Sequence, residues 1–375
     1  MPGKALQTDP RLIQIVPRFP PAIDGLGDFA LHLGDALWNA TGKPSNYIVW
    51  RREEPGAPYQ LGPHSIHPLA QTKPSELASQ INSLLPTDSP ATLLLHFTSY
   101  SYSTEGLAVW LPGLLRRVKP QGCRLVTFFH ELYARGRFPN KTWMGSWLQK
   151  RIFQQLLELS DAAATSNAAY FEEMKVYAPL KPVVLTGIGS NVGEPENSVA
   201  WEKRKRRLVV FGLPATRARF YQQHLVAMQE LRGKLALDEI ADVGGADGFE
   251  STIGHAGGAL GPVFRRYGIL PQEKVSALLA DSLAGVVNYR FDLRFKSGIV
   301  AAYQAHALPT ILFTPRGLEG EFETAADVLR AEQILEAGVV QSMQLLATCA
   351  QRGFEHYKEH RSFKTTAEKL APLLF

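Results

Sequence analysis

The sequence predicts an α/β protein built in two halves, each with a mostly parallel sheet covered by helices. Strand-like and helix-like segments alternate along nearly all of the 375 residues, which is the pattern of α/β layers. A chain of this length can bury two cores. Periodicity is lost at about residues 187 to 206, where Gly, Pro, Asn and Ser are frequent. We therefore predict two domains, 1–195 and 196–375, with a ligand cleft at the carboxyl ends of their strands.

The first half begins with a buried-strand candidate at 11–17, then a Pro/Gly-rich turn and a helix from Asp28 to about Ala40. Ser75 is the predicted N-cap of the next helix, 74–85. Further strands are predicted at 45–50, 91–98, 123–132, 161–167 and 182–186, and further helices at 107–118, 147–160 and 168–177.

The second half repeats this alternation after the predicted linker. A Lys-Ser-Gly turn precedes one late helix, and the tail from about Ala326 is predicted to be helical. The sequence leaves open whether the last helix crosses back to the first domain. The other predicted elements are strands at 207–214, 237–245, 283–289 and 309–315 and helices at 217–233 and 271–282.

Composition is that of an ordinary globular protein, and its mildly basic charge fits a substrate that carries phosphates. The net charge is +5 and the isoelectric point is about 9.1, but the charge is spread along both halves and does not indicate nucleic acid. The dense basic run at 202–207 is typical of a solvated segment. Cys123 and Cys349 have no metal-site spacing. No signal peptide or spanning segment is evident, so we expect a cytoplasmic protein whose membrane contact, if any, is peripheral.

Two glycines follow the first predicted strand. Gly25 and Gly27 open the helix, where glycine lets the backbone approach a ligand and where free amides can bind an anion. Asp24 and Asp28 argue against a simple phosphate cradle, and the spacing is not that of a dinucleotide fingerprint. The alternative is a tight turn without a binding role.

A histidine stands where the strand at 123–132 ends. His130 could donate a hydrogen bond to a sugar hydroxyl or act as an acid or base, although a strand-end histidine is more often structural. His96 is a second candidate of the same kind. The loop that follows combines cations with aromatic rings, which suits sugar faces or phosphates and equally suits a folded surface loop: Arg135, Arg137, Phe138, Lys141, Trp143 and Trp147.

The strand that opens the second half ends at Gly212, and arginines follow at Arg217 and Arg219. At the carboxyl edge of the sheet, Arg217 could pair with a diphosphate in a bidentate manner. The alternative is charge on the surface of a helix.

The late helix begins with Lys296, Ser297 and Gly298. Its first-turn amides lack helical partners, and the positive end of the helix dipole adds to the lysine charge. A phosphate there would receive amide, hydroxyl and ammonium contacts. Ser297 as a simple N-cap is the alternative, and the P-loop pattern is absent.

Together these segments resemble a known family. The chain is similar to bacterial GT-B glycosyltransferases of the retaining, family 4-like group that includes sucrose-phosphate synthase-like and polysaccharide-assembly enzymes. The similar segments, in order, are "PPAIDGLGDFALHLGDAL", "FFHEL", "SDAAATSNAAYFEEM", "LTGIGSNVGEP", "VVFGLPATRARF", "LPQEKVSALLADSLAGVVNY" and "KSGIVAAYQAHALPTILF".

The resemblance implies two Rossmann-like domains facing across a cleft, with a C-terminal helical tail. It also implies transfer of a sugar from a nucleotide-diphosphate donor to a glycan or lipid-linked acceptor, with retention, without metal and without a separate cofactor. By position, His130, Lys296 and Arg217 would act in catalysis. Residues expected to contact the donor or acceptor are Gly25, Gly27, Gly212, Ser297 and Gly298.

The chain departs from the family pattern at the late helix. The family commonly carries two glutamates here, and this chain has Arg294 and Ala302 at those positions. Ribose recognition is therefore in question. A non-catalytic nucleotide- or glycan-binding protein with the same fold is the main alternative to an enzyme, and a nicotinamide oxidoreductase is weakened by the missing glycine fingerprint.

Overall fold

The computed structural model describes residues 11–20, 22, 24–51, 57–86, 90–119, 123–134, 141–195, 199–314 and 326–375, with the side chains of 141–144 left out. The chain forms two compact units. Unit 1 comprises Met1–Gly187 together with Phe363–Phe375, and unit 2 comprises Ile188–Ser362.

Unit 1 contains an eight-stranded sheet of order β3-β4-β2-β1-β5-β6-β7-β8 in the described residues. All pairs are parallel except β3 with β4. The central strand β5 is buried along its whole length, as expected for a parallel strand covered on both faces. The strands are β1 (Arg11–Val16), β2 (Ser45–Val49), β3 (Tyr59–Leu61), β4 (His64–Pro68), β5 (Ala91–Phe97), β6 (Cys123–Phe129), β7 (Ala162–Thr165) and β8 (Val183–Leu185).

Six helices accompany this sheet: α1 (Gly25–Thr41), α2 (Pro74–Leu84), α3 (Trp110–Val118), α4 (Lys141–Leu159), α5 (Ala168–Tyr177) and α12 (Phe363–Leu374). Successive strand residues alternate between two cores. Ile13 and Leu93 face the core that α2 to α5 complete, whereas Leu12 and Leu94 face the core that α1 and α12 complete. The last helix of the chain thus belongs to the core of unit 1.

Unit 2 contains a six-stranded parallel sheet of order β11-β10-β9-β12-β13-β14 in the described residues. The strands are β9 (Lys205–Phe211), β10 (Glu239–Val243), β11 (Phe264–Gly268), β12 (Ser282–Asn288), β13 (Thr310–Phe313) and β14 (Leu329–Arg330). The helices are α6 (Pro214–Lys234), α7 (Glu250–Leu260), α8 (Gln272–Ala280), α9 (Gly298–Ala305), α10 (Ala331–Glu336) and α11 (Val339–His360). Val209 and Val210 point to opposite cores of this unit.

The strands and helices predicted in both halves are present, but several details differ. The units divide between Gly187 and Ile188, at the start of the predicted linker rather than at 195/196. Ser75 is not an N-cap: α2 begins after Lys73, with Pro74 in its first turn. The short strands β3, β4, β11 and β14 were not predicted. No helix in the described part of the chain combines the length and apolar character needed to cross a bilayer.

Candidate functional site

Each sheet has a switch point where consecutive connections leave in opposite directions. It lies between β1 and β5 in unit 1 and between β9 and β12 in unit 2. In open parallel sheets, ligands bind beyond the carboxyl ends of the strands at such points. The predicted site residues follow β1, β6, β9 and β12, so they lie near one or the other switch point.

In unit 2, the amino-terminal mouth of α9 lies beside the end of β9. A Cβ atom on Gly212 would stand only 2.7 Å from Ile299 Cδ1, and the φ angle of Gly212 is +139°. The φ angle favours glycine at this position, whereas the end of the Ile299 side chain could move aside. The structure therefore places Gly212 close to the start of α9, which the Lys296–Gly298 segment forms.

Ser297 caps α9. Its Oγ accepts a hydrogen bond from the Val300 amide at 3.2 Å, and its side chain is buried. Lys296, half-buried, precedes it at the end of a 3-10 helix, Phe291–Lys296. The first-turn amides of Gly298 and Ile299 have no helical carbonyl to bind. The capping alternative is thus observed, and it leaves these two amides and the helix dipole facing the mouth.

Residues 189–191, with the sequence GSN, lie in the predicted linker and pack against the amino-terminal end of α9. A Cβ atom on Gly298 would meet Asn191 Cγ at 3.5 Å, an ordinary contact, so packing does not demand glycine here. The Oδ1 atom of Asn191 is buried and has no hydrogen-bond partner among the described residues. Asn191 is therefore a site residue that the sequence placed only within a family-like segment.

A buried arginine that the sequence analysis did not identify stabilises the amino-terminal end of α9. Arg361 donates to Ser297 O at 3.0 Å, to Ile188 O at 3.2 Å and to Gln304 Oε1 at 2.9 Å. Burial lowers the pKa of its guanidinium to about 10, so it remains a cation at neutral pH. Its distance along the chain from Ser297 left no signal in the sequence.

Arg294 and Ala302, the two positions at which the family resemblance would imply glutamates, are both engaged within unit 2. Arg294 forms an ion pair with Asp327, at 3.4 Å, and its guanidinium lies 3.9 Å from the ring centre of Phe291. Ala302 is 0% exposed within a core of unit 2. Asp327 also accepts from Gln304 Nε2 at 3.1 Å, which joins Arg294 to the Arg361 network.

Arg217 matches neither of the two roles considered for it, pairing with a diphosphate at the cleft side or charge on the surface of a helix. Its side chain is 1% exposed and forms an ion pair with Asp242, while Nε donates to Gly212 O at 2.9 Å and Nη2 donates to Gly245 O. The guanidinium thus joins the loops after β9 and β10 instead of facing a diphosphate at the cleft side. Arg219, by contrast, is exposed.

In unit 1, the glycines after β1 play different parts. A Cβ atom on Gly27 would lie 2.7 Å from Arg18 O, so the close backbone approach predicted here is made to the chain itself. Gly25 is exposed and has nothing within 4 Å of such an atom. Asp24 caps α1 by accepting from the Leu26 amide at 3.0 Å. Burial, reinforced by the Asp24 charge, raises the pKa of Asp28 to about 6.

His130 follows β6 and is buried, with 8% of its surface exposed. Its ring stacks on Phe128 at 4.5 Å between centroids and meets Phe29 edge-on at 5.0 Å. Its Nε2 atom lies 3.2 Å from Nδ1 of His96. The two histidines that the sequence singled out therefore form one pair at the carboxyl ends of β5 and β6: His96 is the penultimate residue of β5 and His130 directly follows β6.

The aromatic and basic loop lies mostly beyond the described part of the chain. Arg135, Arg137 and Phe138 fall outside the described residues, and the side chains of Lys141 and Trp143 are not described. Trp147 is 69% exposed on α4.

Comparison with known proteins identifies the fold. No family model matches the sequence, and no curated protein matches it. Among solved structures, the chain is similar to a sucrose-phosphate synthase from Thermosynechococcus elongatus, with a TM-score of 0.68 and 14% identity over 97% of this chain and 98% of that chain.

Two further structures show the same likeness. A trehalose-phosphate synthase (UDP-forming) from Burkholderia vietnamiensis has a TM-score of 0.64 and 13% identity over 98% of this chain and 97% of that chain. WaaG, a glycosyltransferase involved in lipopolysaccharide biosynthesis, has a TM-score of 0.57 and 13% identity over 97% of this chain and 99% of that chain. At these identities the likeness establishes the fold, and the predicted GT-B fold is confirmed.

Proposed function

We propose that the protein is a glycosyltransferase that moves a sugar from a nucleotide-diphosphate donor to a glycan or lipid-linked acceptor. The observation that carries the proposal is the amino-terminal mouth of α9, where Lys296, the Ser297 cap and first-turn amides without helical carbonyl partners lie near the switch point of unit 2. The GT-B fold supports it, since similar structures include glycosyltransferases and a UDP-forming synthase.

The α9 mouth suits the leaving diphosphate. Phosphate oxygens would accept hydrogen bonds from the amides of Gly298 and Ile299, and the ammonium of Lys296 would add positive charge. Such fixed donors stabilise charge that develops on the leaving group, which is the largest electrostatic demand of the reaction. Because Lys296 and the helix dipole supply positive charge, the proposal assigns no metal to this step. Retention at the anomeric carbon and a role in polysaccharide assembly follow from the family resemblance alone.

His130 in unit 1 is proposed to contact the transferred sugar, and exposed Gly25 to lie near donor or acceptor. The proposal places the reaction in the cytoplasm. A lipid-linked acceptor would bring peripheral membrane contact, for which exposed Trp147 is a candidate.

The direct test is a thermal-shift panel with UDP, GDP, ADP, dTDP and CMP, each with and without its sugar. A ligand that binds only the folded state at 100 times its Kd adds about 2.7 kcal/mol of stability. We expect one nucleotide to raise the melting temperature by several degrees. Lys296→Ala should reduce that shift, whereas Lys203→Ala, an exposed lysine at the opposite end of β9, should leave it unchanged.

A panel without any shift would contradict the proposal. An equal shift in wild type and Lys296→Ala would instead show that the donor binds elsewhere than the α9 mouth.

A second candidate function is nucleotide or glycan binding without turnover. Arg294 is engaged by Asp327, and Ala302 is fully buried, so neither position offers the carboxylate that the family uses. Incubation of the donor that gives a shift with candidate acceptors, followed by mass spectrometry, separates the two functions. A glycosylated product excludes the non-catalytic candidate.

A further inference from the structure

A buried row of polar side chains crosses the sheet of unit 1 and ends at His130. Gln14 on β1 lies between Ser45 and Tyr47 on one side and His96 on the other. His96 in turn contacts His130 at 3.2 Å. Gln14, Ser45, Tyr47 and His96 are each 0% exposed, so bonds within this row are not exchanged with water.

The direction of these hydrogen bonds is determined from the Tyr47 end. The Tyr47 hydroxyl donates to Ala30 O at 2.8 Å, so its oxygen accepts from Gln14 Nε2 at 3.2 Å. Gln14 Nε2 also lies 2.8 Å from Ser45 Oγ. The amide nitrogen of Gln14 therefore faces β2, and its oxygen faces His96.

An amide oxygen can only accept, which fixes His96. Its Nε2 lies 2.8 Å from Gln14 Oε1 and must carry the proton. Complete burial lowers the pKa of His96 to about 3, so the ring is neutral near pH 7. A neutral imidazole has one N–H, hence Nδ1 of His96 is an acceptor, and the partner that donates to it is Nε2–H of His130.

We propose that Gln14 and His96 are positioning residues that hold His130 as its Nε2–H tautomer and fix the plane of its ring. Phe128, stacked on His130, and Phe29, at its edge, hold the same orientation by packing. Any further partner of the ring bonds to Nδ1, which accepts while His130 is neutral and donates once it is protonated.

This assignment has a consequence for the reaction, which rests on the proposed function. Because its Nε2–H is directed at His96, a neutral His130 would have no N–H to donate to a sugar hydroxyl. Any hydrogen bond with that hydroxyl would be accepted by Nδ1, whereas the sequence analysis considered His130 as a donor. The row would thus select the orientation of a hydroxyl before transfer begins.

The test is a two-bond ¹H–¹⁵N spectrum of the full-length chain with labelled histidine. His130 signals are assigned by their loss in His130→Gln. We expect the pattern of an Nε2–H tautomer in the wild-type protein near neutral pH. The Nδ1–H pattern would overturn the inference, whether or not the protein transfers sugar.

Two variants test the cause. In Gln14→Glu the carboxylate should stabilise a charged His96, whose Nδ1–H would then donate to His130 and move the His130 proton to Nδ1. In His96→Leu the acceptor is lost and the single tautomer should disappear. Thr127→Val is the matched control: it removes a buried polar group from β6, the strand that leads to His130, but one that bonds to Ser160 instead of the row, so it should leave the His130 pattern unchanged.

An unchanged His130 pattern in both variants would overturn the positioning role. With an active donor, His96→Leu should lower turnover roughly 10-fold with little change in the nucleotide thermal shift. Equal turnover in His96→Leu and Thr127→Val would also count against the role. If the Nε2–H tautomer is observed but no sugar transfer is detected with any donor, the proposed function is contradicted while the tautomer assignment is confirmed.

Discussion

At the scale of single residues, Arg217 shows how local sequence misleads about charge. An arginine after a strand is an equally good candidate for ligand binding and for structure. Its partner Asp242 lies 25 residues further along the chain, so no local pattern discloses the pair. Because the pair is buried, the cost of desolvating both charges offsets much of their attraction, whereas a buried charge left without its partner lowers stability strongly.

Arg217→Met should therefore destabilise unit 2 by about 3–5 kcal/mol, since it leaves Asp242 buried without its cation. The double variant Arg217→Met/Asp242→Leu should recover most of that loss. Urea unfolding of wild type, both single variants and the double variant measures the coupling. A stable Arg217→Met protein that has lost its nucleotide-induced shift would instead return Arg217 to the ligand site.

Ala307 is a second residue whose conformation sequence alone does not disclose. It links α9 to β13 with φ at +49°, in the left-handed region that disfavours side chains. Ala307→Gly should raise the free energy of unfolding by about 0.5–1 kcal/mol, because relief of strain outweighs the added freedom of the unfolded chain.

The matched control for this change is Ala40→Gly, an exposed alanine within α1. There glycine should lower stability by about 0.5–1 kcal/mol. Thermal unfolding of the two variants should thus move in opposite directions. A decrease for Ala307→Gly as large as that for Ala40→Gly would show that the left-handed angle carries no strain.

At the scale of elements, the sequence predicts the buried strands but not the exposed strands at the edges of the sheets. Strands such as β5 and β12 consist mainly of apolar residues and are buried throughout, a pattern typical of strands inside a parallel sheet. All three residues of β3 are exposed. Strand β11 contains exposed Arg265 and Arg266. Neither β3 nor β11 therefore has the apolar run that indicates a strand.

The helix mouth follows the same logic. Ser297 and Gly298 indicate in the sequence where α9 begins, because capping is a local interaction. Arg361 and Asn191 bind or pack against that mouth from distant parts of unit 2. Sequence reasoning could therefore predict where α9 begins but not the distant residues that bind or pack against its start. The His130–His96–Gln14 row was hidden likewise, since its links span 34 and 82 residues.

At the scale of the whole molecule, the two units differ in how the chain builds them. Unit 2 is one continuous segment, Ile188–Ser362, whereas unit 1 needs both ends of the chain. The tail is a series of amphipathic helices, and composition does not say which core each helix covers. Helix α12 buries Phe363, Leu370 and Leu374 in the same core as Phe29 and Leu33 of α1.

This difference predicts unequal autonomy of the two units. Burying three large apolar side chains contributes roughly 5–9 kcal/mol, comparable with the whole stability of a typical domain. We expect segment 188–362 alone to unfold cooperatively, and segment 1–187 alone to lack a cooperative transition because its core is open. Circular dichroism during thermal unfolding of the two segments measures this.

Addition of a peptide spanning 363–375 should restore a cooperative transition to segment 1–187, with a midpoint that rises with peptide concentration. The same peptide with Leu370→Asp is the control and should fail, because a carboxylate would enter a site that is fully buried in the intact chain. Cooperative unfolding of segment 1–187 without any peptide would show that α12 covers a core that is already complete. Rescue by both peptides would show that its apolar face is not what unit 1 requires.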